Sequence, residues 1–160
     1  MAKVIIEDNS VFSHSLQAWL RVIGFGAVVG LAYWILTLLI GNYVVEPLAC
    51  RDIATASTCV GAESLAGKIS TVLIAVAAIF GMVRLGVVRP IIIAVASAAL
   101  LWELSAWLEG MFWLESLAWS VLLYAVSYAL FGWIVRALSV VVAIIIAVLA
   151  VVALRILLAL

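Results

Sequence analysis

Residues 22–45, VIGFGAVVGLAYWILTLLIGNYVV, form an uncharged and almost entirely apolar run. A helix needs roughly 20 apolar residues to cross the hydrocarbon core of a bilayer, because each residue adds about 1.5 Å along its axis. Residues 116–135 and 137–154 are two further uncharged runs that approach or reach this length. The three runs predict a chain that crosses a membrane several times.

The composition of the chain indicates the same class of protein. Hydrophobic residues make up 70% of the 160 positions and charged residues 10%, with a mean hydropathy of +1.45. A soluble domain has roughly 45–50% apolar and about 25% charged residues, so a soluble fold would not cover this much apolar surface. We therefore expect an all-α integral membrane protein, multi-pass, in the plasma membrane (the cytoplasmic or inner membrane), with the lipid bilayer as its surroundings.

Residues 102–115, WELSAWLEGMFWLE, place three carboxylates six positions apart in an apolar region. Six residues turn a helix by roughly 240°, so on one helix Glu103, Glu109 and Glu115 would point about 120° apart. At least one of them would then face lipid, which is costly for a charged group. A break in the helix within this stretch would remove the conflict.

Pro90 and Gly110 predict where this helix begins and ends. Proline is favoured in the first turn of a helix, and glycine is favoured just past its end. Glu109 lies about 29 Å along a helix that begins at Pro90, which is nearly the full thickness of the hydrocarbon core. The spacing therefore predicts a helical hairpin whose tip is Glu109 and Gly110.

These signals together predict a bundle of about five transmembrane helices. Residues 1–21 would form a cytoplasmic or interfacial segment, and residues 22–160 would form the membrane domain. An outer loop would occupy residues 41–67. The predicted spans are 22–40, 69–88, 90–109, 112–135 and 137–160. The alternative is four spans, with one segment at the membrane interface or re-entering the membrane.

The basic residues predict the orientation of this bundle. A cytoplasmic N-terminus would place five of the eight basic residues in the cytoplasm, which is the direction of the positive-inside bias. The C-terminus would then lie outside. The five cytoplasmic residues are Lys3, Arg21, Arg84, Arg89 and Arg136, and the three outer ones are Arg51, Lys68 and Arg155.

Both cysteines, Cys50 and Cys59, fall in the predicted outer loop. An oxidising compartment would permit a disulfide between them, and the orientation places the loop on that side. The alternative is that the two cysteines are unpaired and serve only as small side chains.

Gly26 and Gly30 form a GxxxG element in the first predicted span. This spacing clears one helical stripe of side chains, so that another backbone can approach closely. We expect a helix-packing site there, whose partner is either another helix of this chain or a second copy of it.

Glu103 and Glu115 are the candidate ion- or proton-binding residues. A hairpin that turns at Gly110 would place each of them roughly 9 Å below the surface on neighbouring helices. Two carboxylates that share a poorly hydrated site can form a proton relay or a cation site. The structural alternative is an ion pair of either acid with Arg155, beside an aromatic belt of tryptophans.

The inventory of residues argues against an enzyme. His14 is the only histidine, and Asp8 and Asp52 are the only aspartates. Paired-histidine metal motifs and an intramembrane aspartyl pair therefore have no residues to form them, and we expect no metal, no cofactor and no catalytic residue. The zero net charge argues against nucleic acid as a partner.

The expected function is that of a non-catalytic polytopic membrane subunit or assembly (scaffold) protein of a membrane complex. Its partners would be other membrane proteins or copies of itself. The alternative is a small channel or transporter for an ion or a solute, as a single chain or as a homo-oligomer. Glu103 and Glu115 would line its acidic outer vestibule.

Overall fold

The computed structural model describes residues 3–49, 62–87, 89–137 and 140–159, and every regular element within these ranges is helical. Seven α-helices occur there, and a π-helical segment, Gly41–Val45, joins the first two. The α-helices are α1 (Lys3–Ile40), α2 (Glu46–Ala49), α3 (Ala62–Arg84), α4 (Pro90–Leu100), α5 (Leu104–Leu108), α6 (Trp113–Ala137) and α7 (Val140–Ala159).

Three helical stretches are long and apolar enough to cross a membrane. They are Trp19–Leu48, Ser64–Arg84 and Trp113–Val135, with 30, 21 and 23 residues. The all-helical membrane class predicted from the sequence is confirmed to this extent. Two shorter apolar stretches, Pro90–Leu100 and Ile144–Ala153, lie within the third and fifth predicted spans.

The first span is longer at both ends than the sequence indicated. The boundary expected at residue 21 lies inside α1, and helix continues through the predicted start of the outer loop to Ala49. Pro47 accounts for the π-helical segment, since its ring clashes with the carbonyl four residues earlier in a regular helix. The backbone N–H of Glu46 instead donates to the carbonyl of Gly41, five residues back.

The third predicted span is not one continuous helix. It consists of α4 and α5, which are separated by a turn at residues 101–103. The backbone N–H of Leu101 still bonds to the Ser97 carbonyl, whereas that of Leu104 bonds to the Leu101 carbonyl across the turn. No proline or glycine lies in this turn, so the residues that usually signal a helix break are not present.

The chain reverses direction at the predicted hairpin tip and at a second turn before Pro90. Gly110 has φ +82° between α5 and α6, and Gly86 has φ +68° between α3 and α4. Arg89 has a left-handed backbone (φ 57°) immediately before Pro90, and its guanidinium donates to the carbonyl of Val135 at 3.4 Å. We call the end of the bundle at Arg84 and Arg89 the arginine end, and the end at Gly110 the hairpin end.

The core of the bundle lies where α1 packs against α6 and α3. Aromatic side chains of α1 and α6 meet there, with Tyr33 against Tyr124 and Phe25 against Tyr128 at ring-centroid distances of 5.2 and 6.0 Å. Helix α7 packs on the outside of the bundle, mainly against α4 and α6. The largest fully buried side chains include Tyr33, Tyr128, Phe131, Met82, Ile93 and Leu104.

Candidate functional site

The break between α4 and α5 places Glu103 beside a lysine of α3. The Glu103 Oε1 atom lies 3.8 Å from the Nζ atom of Lys68, and the two side chains are 37% and 36% exposed. The turn lets the carboxylate reach this half-exposed position while Leu101 and Leu104, on either side, are buried. Glu103 is therefore part of an ion pair with a residue that the sequence did not indicate as its partner.

A close contact between α3 and α5 lies next to this ion pair. A Cβ atom added at Gly67 would overlap the Ser105 side chain and would lie 3.2 Å from the Tyr33 hydroxyl oxygen. Only glycine therefore permits this approach. The contact brings α1, α3 and α5 together next to Lys68 in the sequence of α3.

Hydroxyl groups occupy the buried space below this contact. We define the hydroxyl cluster as Tyr33 and Thr37 of α1, Thr71 of α3, Ser105 of α5, and Ser120 and Tyr124 of α6. Thr37, Thr71 and Ser120 donate to the carbonyls four residues earlier in their own helices, at 2.9, 2.9 and 2.8 Å. The hydroxyls of Tyr33, Ser105 and Tyr124 are buried among them.

Part of the hydroxyl cluster lines a small, partly open cavity of about 40 Å³. The cavity lies between α1, α5 and the first turns of α6. None of its lining residues is charged. They are Tyr33, Trp34, Thr37, Leu38, Ser105, Leu108, Ser116 and Ser120.

Glu109 and Glu115, the other two acids of residues 102–115, are not part of the hydroxyl cluster. Glu115 is exposed in the first turn of α6, and Glu109 is exposed at the hairpin tip. The described ion pair joins Glu103 to Lys68. Arg155, the predicted ion-pair partner, lies in α7, but its side chain is outside the described part of the structure.

The glycines of the GxxxG element lie against α6 of the same chain. A Cβ atom added at Gly30 would lie 2.6 Å from the Ser120 carbonyl oxygen and 2.8 Å from the Cα of Val121. One added at Gly26 would lie 2.9 Å from the Cα of Ala125. Both glycines therefore allow two antiparallel backbones to approach within the bundle.

An apolar groove follows the outside of the bundle between α4 and α7. It has a volume of about 320 Å³, and every residue that lines it is alanine, valine or isoleucine. Ala96 and Ala147 form its buried floor, and Val95 and Val148 form exposed edges.

Cys50 and Cys59 lie outside the described residues, so their pairing stays a prediction. Within the described residues, no group of His, Cys, Asp and Glu side chains is placed to hold a metal ion.

Sequence reasoning missed the hydroxyl cluster, although a signal for it exists. Ser116, Ser120 and Tyr124 recur every four residues in an apolar span, and Tyr33 and Thr37 repeat this spacing in α1. Residues four apart share one face of a helix, so each helix carries a polar stripe. Only the packing shows that the two stripes face each other.

The fold and this site define a helical membrane protein with a hydroxyl-rich interior. Comparison with known proteins adds no closer assignment, because no family model matches the chain and neither a curated protein nor a solved structure is significantly similar to it.

Proposed function

We propose that this chain is a non-catalytic subunit or assembly protein of a membrane complex, and that it binds a transmembrane helix of another membrane protein. The observation that carries the proposal is the apolar groove between α4 and α7. In a bilayer, helices associate through close packing rather than water expulsion, and small residues allow that packing. Ala96 and Ala147 on the floor of the groove provide such a surface.

The shape of the groove favours a helix over a polar or charged ligand. Its aliphatic lining offers no hydrogen-bonding side chain, so a bound partner must satisfy its own backbone groups. An α-helix does so within itself, which is why helices are the elements that meet in membranes. The expected partner segment is therefore an uncharged, apolar helix.

Filling the groove tests this proposal. Val148→Phe places an aromatic ring at the exposed edge of the groove and is expected to displace the partner helix. Val126→Phe is the matched control, since Val126 is about equally exposed but lies on α6 away from the groove. The measurement is the mass of the intact complex after extraction in mild detergent.

We expect the unaltered protein and the Val126→Phe variant to carry the same additional protein mass, and the Val148→Phe variant to lose it. A chain that is extracted alone would contradict the proposal. A complex built only from repeats of the 17.1 kDa chain would instead indicate a homo-oligomer.

The proposed topology has five spans, a cytoplasmic N-terminus and an outer C-terminus in the inner or plasma membrane. Helix α7 contains 20 residues, about 30 Å, which suffices for a fifth span. Helices α4 and α5 together would form the third, broken span. The position of Arg84 and Arg89 at one end supports a cytoplasmic arginine end.

A small ion or solute channel is the second candidate function, and the hydroxyl cluster below Glu103 is the observation that favours it. In this version, Glu103 and Glu115 attract cations at the hairpin end. The buried residues at the arginine end, Met82, Phe131 and Ile134, are apolar, which supports the subunit over a pore through one copy. Flux into liposomes that is unchanged by Glu103→Gln together with Glu115→Gln would contradict this version, in which the two acids attract the cations.

A further inference from the structure

Helix α1 extends beyond the other helices at the arginine end of the bundle. Val22 lies against Gly132 of α6, and Phe25 lies against Gly81 of α3. Helices α6 and α3 both end within about two turns of these contacts, whereas α1 begins much further out, at its N-terminal end. The helical residues 3–18, which we call the arm, therefore extend roughly 20 Å past the ends of both neighbours.

The sequence of the arm repeats with the heptad spacing of a coiled coil. Apolar residues and a single asparagine recur at alternating intervals of four and three, and polar residues recur at the same intervals on the opposite face of the helix. The first set, which we call the seam, is Ile5, Asn9, Phe12, Leu16, Trp19 and Ile23. The second set, the polar stripe, is Lys3, Glu7, Ser10, His14, Gln17 and Arg21.

The seam is a different face of α1 from the one that packs inside the bundle. Val22 lies on the packed face, against α6. Ile23, the last residue of the seam, is one position later and so about 100° around the helix, where it is 38% exposed. The seam therefore reaches the base of the arm without being covered by this chain.

We propose that the seam is a dimer contact, and that the arms of two copies of this chain form a parallel two-stranded coiled coil. Copies inserted in one membrane share the same orientation, so their arms leave it side by side and point the same way. Asn9 then lies opposite the same residue of the second copy, where the two amides can hydrogen-bond. A single asparagine among the apolar positions of a seam favours this aligned register.

The arm needs a partner because it would be a poor helix alone. Isolated helices of about this length are marginal even when they are rich in alanine. The arm instead contains valine, isoleucine, serine, asparagine and aspartate, all of which have lower helix propensity. Burial of the seam against a second arm supplies the missing stabilisation.

Charge and helix continuity argue against the membrane surface as this partner. Helices that lie on a membrane carry lysine and arginine on their polar face, whereas the arm has one lysine, Lys3, and two acids, Glu7 and Asp8. Lying on the surface would also require a sharp bend before the span that begins at Trp19. Helix α1 is continuous from Lys3 to Ile40, and the arm contains no proline or glycine to bend it.

Disulfide cross-linking of the full chain in isolated membranes tests the seam. Cys50 and Cys59 are first replaced by serine, and one new cysteine is then introduced per variant. Under mild oxidation, we expect Phe12→Cys, in the seam, to give a dimer of twice the 17.1 kDa chain mass. His14→Cys, in the polar stripe, is the matched control and should cross-link at least several-fold more slowly.

A second pair of variants tests whether the apolar seam holds the arms together. In the Phe12→Cys protein, Leu16→Glu places a charge in the seam and is expected to lower the rate of cross-linking several-fold. Gln17→Glu places the same charge in the polar stripe and should leave the rate unchanged. Both positions precede the span, so neither variant alters the membrane bundle.

Equal cross-linking at Phe12→Cys and His14→Cys would overturn the proposal, because the arms would then meet without a preferred face. Absence of the dimer at Phe12→Cys would overturn it as well, since the two seams would then be apart. Neither result bears on the groove between α4 and α7, so the proposed function is tested independently of the arm.

Discussion

Single glycines determine how closely the helices of this bundle approach. Gly26 and Gly30 lie against the backbone of α6, and Gly67 lies against Ser105 of α5. Gly24 belongs to the same helix as the first two, but a Cβ atom added there would meet nothing within 4 Å. The glycines of α1 are therefore not equivalent, although their sequence context is similar.

Replacing Gly30 with alanine is expected to destabilise the bundle by about 1–3 kcal/mol, because the new Cβ atom would collide with the Ser120 carbonyl and the helices would have to separate. The measurement is the free energy of unfolding in detergent micelles. Gly24→Ala is the matched control and should be neutral or slightly stabilising, since alanine favours helix. Equal losses in both variants would contradict the close approach.

At the scale of elements, the broken third span explains several features together. The turn at residues 101–103 brings Glu103 to Lys68 and directs Ser105 into the core. Helix α5 contains only five residues between this turn and the hairpin tip, so few hydrogen bonds hold it. Its stability must come from packing against α3 and α6.

The ion pair itself should contribute little to stability. A double-mutant cycle with Lys68→Met and Glu103→Gln is expected to give a coupling energy below about 1 kcal/mol, because both groups are more than one-third exposed. The coupling should shrink further at high salt, where exposed charges are screened. A coupling that is several times larger and independent of salt would mean that the pair is desolvated in the membrane.

Helix α5 should open more readily than the long helices. In hydrogen exchange followed by mass spectrometry, we expect amides of residues 104–108 to exchange before those of residues 120–131 in α6. Short helices are marginal without tertiary support, and local opening follows such weak support. Equal protection of both segments would show that α5 is fixed as firmly as the core.

At the scale of the whole molecule, the arginine end and the hairpin end should lie on opposite sides of the membrane. The measurement is labelling of single cysteines by an impermeant maleimide in intact cells, with Cys50 and Cys59 replaced by serine. Met111→Cys reports on the hairpin end and Leu85→Cys on the arginine end, and both positions are exposed.

We expect Met111→Cys to be labelled from outside and Leu85→Cys only after the membrane is permeabilised, because arginines favour the cytoplasmic side. The reverse pattern would show that the bundle has the opposite orientation. Labelling of both cysteines from the same side would contradict the membrane crossing by α4 and α5.

The sequence by itself determined the membrane class, the apolar helices, the start of α4 at Pro90 and the turn at Gly110. Each of these depends on a local property, since hydropathy, proline and glycine act through their own stretch of chain. Tertiary structure decided the rest. The pairing of Glu103 with Lys68, the break before α5 and the meeting of Tyr33 with Ser105 depend on which helices become neighbours, and that is set by packing between residues far apart in the sequence.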